Sequence, residues 1–282
     1  MHRQLALTVL LVVLGAGVVH AVWNAITKGV EDRLVVLAWI GLMSSVLGAA
    51  GLVVTGTPPT TALWFVLGST VIHVVYNYAL MNAYRLGAFN QMYPVARGTS
   101  PLVVAIGAAL FANEHPSGIA LAGVVVLGAG LMSLALSGGR VDRSELPALG
   151  TALVTGLAIA AYSLVDGLGV RHTHDPYSYT ALLFLAQGPI FVLVGLARRR
   201  PAEWVANGIA WRGLLAGSLS VVAYGAVIWA QLRAPLAEVS ALRETGVISA
   251  AVIGALLFKE GFGMRRVASA AIVACGIILI AV

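Results

Sequence analysis

Charged residues are scarce in this chain of 282 residues. They make up only 10% of it, whereas 60% of the residues are hydrophobic and the mean hydropathy is +0.94. A water-soluble globular protein carries about 25% charged residues. The composition therefore excludes an ordinary soluble domain and predicts an all-α integral membrane protein, provided that its apolar segments are long enough to span the bilayer.

Cysteine is nearly absent as well. The single Cys275 excludes a disulfide framework and a thiolate metal site within one chain. A phosphate-binding loop of the Gly-x-x-x-x-Gly-Lys type is missing, so direct use of ATP is not expected. Acids within apolar segments show no ligand spacing; they are Asp166, Glu238 and Glu244. We therefore expect no metal, no cofactor and no catalytic residue, and hence a protein that is not an enzyme.

Long apolar runs are what the chain has in abundance. Crossing the hydrocarbon core, which is roughly 30 Å thick, takes about 20 helical residues. Ten runs of about this length are separated by short polar loops, at 5–28, 34–55, 62–86, 88–112, 117–137, 147–170, 177–197, 210–233, 235–258 and 263–282. All should be helices, because the alternating pattern of membrane β-strands is missing. The first run is too long and too polar for a cleaved signal sequence, so we expect it to remain.

The basic residues indicate orientation. With loops assigned alternately to two sides, one side holds Lys28, Arg33, Arg85, Arg140, Arg143, Arg198, Arg199, Arg200, Arg212, Lys259, Arg265 and Arg266. The other side holds Arg3, Arg171 and Arg233. Twelve against three predicts a multi-pass protein of the cytoplasmic (inner) membrane with both termini outside. Because these cations lie at helix ends, the net charge of +6 does not indicate a nucleic-acid partner.

An internal repeat is visible in the sequence. A shift of 146 positions places Arg97-Gly98-Thr99 on Arg243-Glu244-Thr245, and near the start of each half a shift of 139 places Trp23-Asn24 on Tyr162-Ser163. Each half would hold five spans, and five is odd, so the second half would cross the membrane in the opposite sense. We predict two inverted five-helix repeats, 1–138 and 147–282, joined by the linker 139–146 around a central cavity.

Two arginines, Arg97 and Arg243, lie near mid-depth at equivalent positions of this repeat. Each costs at least about 2.5 to 3.5 kcal/mol to insert, so each should face the bundle interior. One interpretation is that they bind an anionic group of a substrate. The other is that buried acids neutralise them, and a mixed case would open an internal pair when substrate arrives. Glu244 is not expected to pair with Arg243, because sequence neighbours on a helix point about 100° apart.

Polar and aromatic residues within lipid-length segments complete the candidate site. The candidates for substrate binding, besides the arginines, are Trp23, Asn24, Tyr76, Asn77, Tyr93, Tyr162 and Tyr224. The candidates for carrying a coupling proton are His20, Asp166 and Glu244. A buried histidine is also commonly a hydrogen-bonded core residue, so the role of His20 stays open. Pro94 and Pro101 can kink or break the fourth span, either to shape a cavity or only for packing.

The chain resembles the drug/metabolite transporter superfamily, in its ten-helix EamA-type branch. The resemblance covers essentially the whole chain and rests on "HAVWNAITK" in the first span, "YNYALMNAYRLGAFNQMYPVARGTSPL" across the third and fourth, Glu114, "ALRETG" and Glu260. It implies a basket of ten helices, with spans 1 to 4 and 6 to 9 lining a cavity. Many relatives are drawn with both termini in the cytoplasm, which conflicts with the charge count; we follow the count.

The function expected from these features is secondary active transport, coupled to protons or by exchange. The substrate would be a small polar, anionic or zwitterionic metabolite, such as an amino acid or a phosphonate, moved across the cytoplasmic membrane by alternating access. Its partners would be this small molecule and the lipid bilayer, with the protein a monomer or homodimer. The alternatives are a flippase for a lipid-linked anionic head group and an intramembrane lipid-phosphate enzyme.

Overall fold

A computed structural model describes residues 7–27, 30–86, 89–136, 146–205, 208–249 and 264–281. These residues contain helices and no strand. The α-helices are α1 Leu7–Thr27, α2 Arg33–Thr55, α3 Ala62–Leu86, α4 Phe89–Phe111, α5 Gly118–Leu136, α6 Leu146–Thr173, α7 Pro176–Arg198, α8 Ile209–Gln231, α9 Leu236–Arg243 and α10 Met264–Ala281. The predicted all-α membrane class is confirmed.

Seven helices of the described residues are long and apolar enough to cross a membrane, by length and composition alone. They are α1, α2, residues Ala62–Ala83 of α3, residues Pro94–Phe111 of α4, α6, α7 and α8. Shorter apolar helices lie within α5 and α10, at Gly118–Leu134 and Val267–Ala281. The count of ten membrane spans therefore stays a prediction.

The ninth predicted span, 235–258, differs from the structure. Helix α9 has only eight residues and ends at Arg243, residues 244 and 245 form a turn, and 246–249 are helical again. The rest of that span lies outside the described residues. In the fourth span, by contrast, α4 continues through both Pro94 and Pro101. The interruption thus falls beside the second arginine, not at the prolines.

Aromatic and basic residues mark both ends of α8. Arg212 lies 5.6 Å from the ring centroid of Trp211, and Arg233 lies 4.1 Å from that of Trp229. The 23 residues of α8 rise about 34 Å, close to the roughly 30 Å of the hydrocarbon core. Tryptophan beside arginine is typical of a membrane–water interface, so α8 has the dimensions of a transmembrane helix.

An ion pair joins the start of α2 to the end of α7. The Asp32 carboxylate caps α2 by accepting from the backbone N–H groups of Leu34 and Val35, and it pairs with Arg199. Partial burial acts to raise the pKa of Asp32, but the hydrogen bond from Arg199 and those from the backbone outweigh it, so its pKa is lowered. The carboxylate is therefore ionised at neutral pH and holds the two helix ends together.

A second ion pair joins helix ends that the alternating loop assignment places on the opposite side. Glu114, which follows α4, pairs with Arg171 near the end of α6 at 2.5 Å and accepts from the backbone N–H of Leu236 at 2.7 Å. Arg171 also donates to the carbonyl oxygens of Gln231 and Ala234, each at 2.9 Å. We call Glu114, Arg171 and the backbone of residues 231–236 the clasp. It holds the α8–α9 connection against both halves of the chain.

Close backbone contact packs α2 against α7. A β-carbon added to Gly41 would lie 2.6 Å from the carbonyl oxygen of Gly188, far inside van der Waals contact. Helices of membrane proteins approach this closely only where small residues meet. The pair Gly41 and Gly188 therefore sets the spacing of these two helices.

We predict that Gly41→Ala destabilises the protein by about 1–3 kcal/mol, because the added methyl group forces the helices apart. Thermal unfolding in detergent measures the effect. Gly15→Ala is the matched control, since nothing lies within 4 Å of a β-carbon at Gly15 in α1. Equal melting temperatures for the two variants would contradict the proposed packing constraint.

Candidate functional site

The two repeat-related arginines meet at one carboxylate. Arg97 Nη1 donates to Glu244 Oε2 at 3.0 Å, and Arg243 donates through Nη2 at 3.0 Å and Nε at 3.2 Å to Glu244 Oε1. Side-chain exposure is 6% for each arginine and 0% for Glu244. Two guanidinium groups and one carboxylate leave a net charge of one positive unit among these three buried side chains.

The pairing of Arg243 with Glu244 corrects the expectation from the sequence, which excluded it. That expectation assumed a continuous helix with a rotation of about 100° between neighbours. Arg243 is instead the last residue of α9, and the N–H groups of Glu244 and Thr245 bond three residues back, to Ala241 and Leu242. This tighter turn, together with the long arginine side chain, lets both groups face the same space.

His20 of α1 joins the arginine pair from the first half of the chain. Its Nε2 lies 2.5 Å from Arg97 Nη2. A guanidinium group can only donate, so His20 Nε2 accepts and the ring is neutral in this arrangement. The Trp23 ring meets the His20 ring edge-on at 4.9 Å, and its buried indole N–H has no hydrogen-bond partner among the described residues.

A cluster of aromatic rings, which we call the aromatic cluster, lies beside Arg243. Its members are His73, Tyr76, Tyr162 and Tyr224. His73 stacks on Tyr162 at 4.1 Å between ring centroids, with Tyr76 and Tyr224 edge-on to both rings. Arg243 lies 5.7 Å from the centroid of Tyr162. The cluster is therefore continuous with the arginine pair, and the Tyr162 ring already lies against one cation, the Arg243 guanidinium.

Asp166 lies on the far side of the aromatic cluster. Its side chain is fully buried, with Tyr179 donating to Oδ1 at 2.9 Å and Tyr224 donating to Oδ2 at 2.5 Å. Helices α7 and α8 thus each donate one hydroxyl hydrogen bond to this acid of α6.

The structure brings together most of the predicted site residues. The arginine pair, His20, Trp23, Glu244, the three described tyrosines and Asp166 form one connected group. Asn24 and Asn77 differ, because each turns its amide donor to its own helix, to the carbonyls of His20 at 2.7 Å and His73 at 2.8 Å. The side chain of Tyr93 lies outside the described residues. Within the described part of the chain, no group of three or more His, Cys, Asp or Glu residues is arranged to hold a metal.

The sequence candidates for substrate binding and proton coupling did not include His73 or Tyr179. For His73 a signal existed, since it precedes Tyr76 and Asn77 by three and four residues on one helix face. For Tyr179 none existed: Tyr177 lies two residues away, yet its side chain is 61% exposed and that of Tyr179 is 0% exposed. Only the packing of α7 against α3 and α6 distinguishes them.

The fold and the site together define a multi-pass helical membrane protein with buried charges at its centre. Comparison with known protein families makes this more specific. Residues 146–282 match the EamA-like transporter family. The resemblance to the drug/metabolite transporter superfamily is thereby confirmed. Members of the family are membrane transporters.

Comparison with solved structures finds a protein with a similar fold. A protein of known crystal structure superposes on this chain with a TM-score of 0.75 at 16% sequence identity, and the match covers 96% of this chain and 97% of that chain. At this identity the likeness shows the fold alone. No curated protein matches the chain.

We predict that Glu244→Gln destabilises the folded protein by about 3–5 kcal/mol, because it leaves two buried guanidinium groups without their shared carboxylate. Thermal unfolding in detergent measures the loss. In Glu244→Gln/Arg243→Gln, removal of one guanidinium should recover part of it. Glu203→Gln, at an exposed acid, serves as control; an equal effect there would contradict the proposed ion-pair network.

Proposed function

We propose that this chain is a secondary active transporter for a small anionic or zwitterionic metabolite, such as an amino acid or a phosphonate, working by alternating access. The observation that carries the proposal is the meeting of Arg97 and Arg243 on one buried carboxylate. Guanidinium groups at mid-depth of a helical membrane protein are costly, and they suit the oxygens of a carboxylate or phosphonate.

The Glu244 carboxylate occupies the place that a substrate anion would take. Each of its oxygens accepts hydrogen bonds from one arginine. Two guanidinium groups would hold a bound carboxylate or phosphonate in the same pattern. In the proposed cycle the substrate anion displaces Glu244 from one or both arginines. This is the mixed case, in which an internal ion pair opens when substrate arrives.

Proton coupling fits the contacts of this centre. A proton on Glu244 would weaken its hold on both guanidinium groups, and a proton on His20 Nε2 would remove the acceptor that Arg97 uses. Either protonation would weaken one of the contacts that hold Arg97 and so favour its exchange for an incoming anion. Asp166, the third candidate carrier, is separated from the guanidinium groups by the aromatic cluster.

The proposed architecture is two inverted repeats, 1–138 and 147–282, joined by 139–146, with both termini outside. Exchange of each helix with the one five positions along maps the most extensive helix contacts onto one another, which supports the proposal. Helix α3 packs on α6 as α1 packs on α8, α4 packs on α6 as α1 packs on α9, and α2–α7, α5–α10 and α4–α9 are self-equivalent pairs. The start of the family match at residue 146 also fits this division.

Alternating access would require contacts between the halves to break on one side at a time. The clasp is such a contact, since Glu114 belongs to the first half and Arg171 and Leu236 to the second. The ion pair of Asp32 and Arg199 joins the halves on the other side. We therefore propose that the clasp must open when the cavity opens toward the α4–α5 loop.

The binding experiment is a thermal-shift screen of the purified protein with amino acids, phosphonates, sugar phosphates and quaternary amines. A ligand of the folded state raises the melting temperature with concentration. We predict that anionic or zwitterionic compounds stabilise the parent protein and that Arg97→Ala abolishes the shift. Glu244→Gln should bind the same anion about tenfold more tightly, because the internal competitor is gone.

Arg200→Ala is the control, since this arginine is exposed beyond the end of α7. Stabilisation by quaternary amines alone, or an equal response of the parent and Arg97→Ala, would exclude anion binding by Arg97. Retained transport in Arg97→Ala and in Arg243→Ala would exclude it as well.

We predict that Glu114→Gln favours opening on the side of the clasp. Loss of an ion pair worth about 1 kcal/mol shifts an opening equilibrium about fivefold. The measurement is labelling of Thr70→Cys in a Cys275→Ser background by a membrane-impermeant maleimide, because Thr70 is buried when the clasp is closed. Asp32→Asn, on the other side, should not accelerate this labelling. Equal rates with and without Glu114→Gln would refute the role of the clasp.

A further inference from the structure

Asp166 carries a buried charge that the proposed anion site does not use. Its side chain is 0% exposed, and the Tyr179 and Tyr224 hydroxyl groups that donate to it are neutral. Within the described residues no Lys, Arg or His nitrogen forms an ion pair with it. A buried carboxylate is costly unless a cation balances it, so Asp166 is suited to a positive group that arrives with the substrate.

The route from Asp166 to the arginine pair passes through two rings of the aromatic cluster. The Tyr224 hydroxyl donates to Asp166, the Tyr224 and Tyr162 centroids are 5.9 Å apart, and Arg243 lies 5.7 Å from Tyr162. A small molecule that contacts the arginine pair at one end can therefore contact these rings at the other. Aromatic faces attract ammonium groups, and a carboxylate behind them adds to that attraction.

The charges of the two ends are complementary. Arg97, Arg243 and Glu244 sum to one positive unit, and an ionised Asp166 contributes one negative unit. A zwitterion placed with its anion toward the arginines and its ammonium toward Asp166 matches both poles without changing the net charge. A simple anion matches only one pole and lies closer to a like charge.

We propose that Asp166 determines the charge selectivity of the transporter, so that the substrate must carry an ammonium group as well as an anionic group. This inference rests on the proposed function of the arginine pair. The ammonium donates to the Tyr224 hydroxyl oxygen, and the Tyr224 hydroxyl donates its own proton to Asp166. A phenol can accept and donate at once, so this chain of two hydrogen bonds conveys the carboxylate charge to the ammonium.

Matched pairs of compounds test this selectivity. We choose alanine with propionate, phenylalanine with 3-phenylpropionate, and 2-aminoethylphosphonate with ethylphosphonate, each pair differing by the amino group. Thermal shifts at graded concentrations give apparent dissociation constants for the parent protein, Asp166→Asn and Tyr177→Phe. Tyr177→Phe is the matched control, because it removes a tyrosine hydroxyl from the exposed side of α7 and leaves the hydrogen bonds of Asp166 in place.

In the parent protein the amino member of at least one pair should bind about tenfold or more tightly than its partner, and Asp166→Asn should reverse that preference. In Asp166→Asn the compound without the amino group should bind more tightly than its amino partner. A misfolded variant would not produce this gain in binding. Tyr177→Phe should keep the preference of the parent. An equal change for both members of a pair in Asp166→Asn, or an unchanged preference, would overturn the inference.

The same data separate this inference from the function on which it rests. If only the compounds without an amino group bind, and Arg97→Ala abolishes that binding, the anion site stands and the role of Asp166 is refuted. If no member of any pair binds to the parent, both proposals fail for these substrate classes.

Discussion

The arrangement at the centre of this protein depends on one carboxylate shared by two guanidinium groups. Arg97 and Arg243 are buried with 6% side-chain exposure each, and a charge at that depth persists only where it is compensated. Glu244 supplies the compensation for both, and it reaches Arg243 because α9 ends there. Compensation of the two buried guanidinium charges thus depends on the end of α9 at Arg243, which lets Glu244 reach both arginines. The neutral His20 ring adds a further acceptor for Arg97.

Much of the fold could be predicted from apolar length alone. The boundaries of α2, α3 and α7 lie within one residue of the predicted spans, because the transition from lipid-compatible to polar sequence is sharp at those ends. The expectation of a continuous helix through the ninth span was wrong for a reason that hydropathy does not show. Its apolar run continues past Arg243, and the turn at residues 244 and 245 is set by packing and hydrogen bonding within the assembled bundle.

The candidate site was predicted in part. The repeat located Arg97 and Arg243 at equivalent depth, and the helical spacing placed His20 beside Trp23 on α1. The partners of these residues were not predictable, since Tyr179 differs from its neighbour Tyr177 only in the side of α7 that faces the bundle. The contact between Arg243 and Glu244 was excluded on helical geometry that the chain does not keep at that point.

The two halves share the arginine of the central site but not its acidic residues. Glu244 corresponds to Gly98 under the shift of 146, and Asp166 corresponds to Thr27 under the shift of 139, so both acids of the centre belong to the second half. Arg243 and Glu244 therefore move together, whereas the bond from Arg97 to Glu244 joins the halves. In the proposed transport cycle a rocking motion changes the bond from Arg97 to Glu244 but leaves the pair of Arg243 and Glu244 intact. A substrate anion that replaces Glu244 at Arg97 would break the bond that joins the two halves and put a contact with the substrate in its place. Because the substrate can leave, this contact can be released, and substrate binding is thereby coupled to the motion that carries the substrate across.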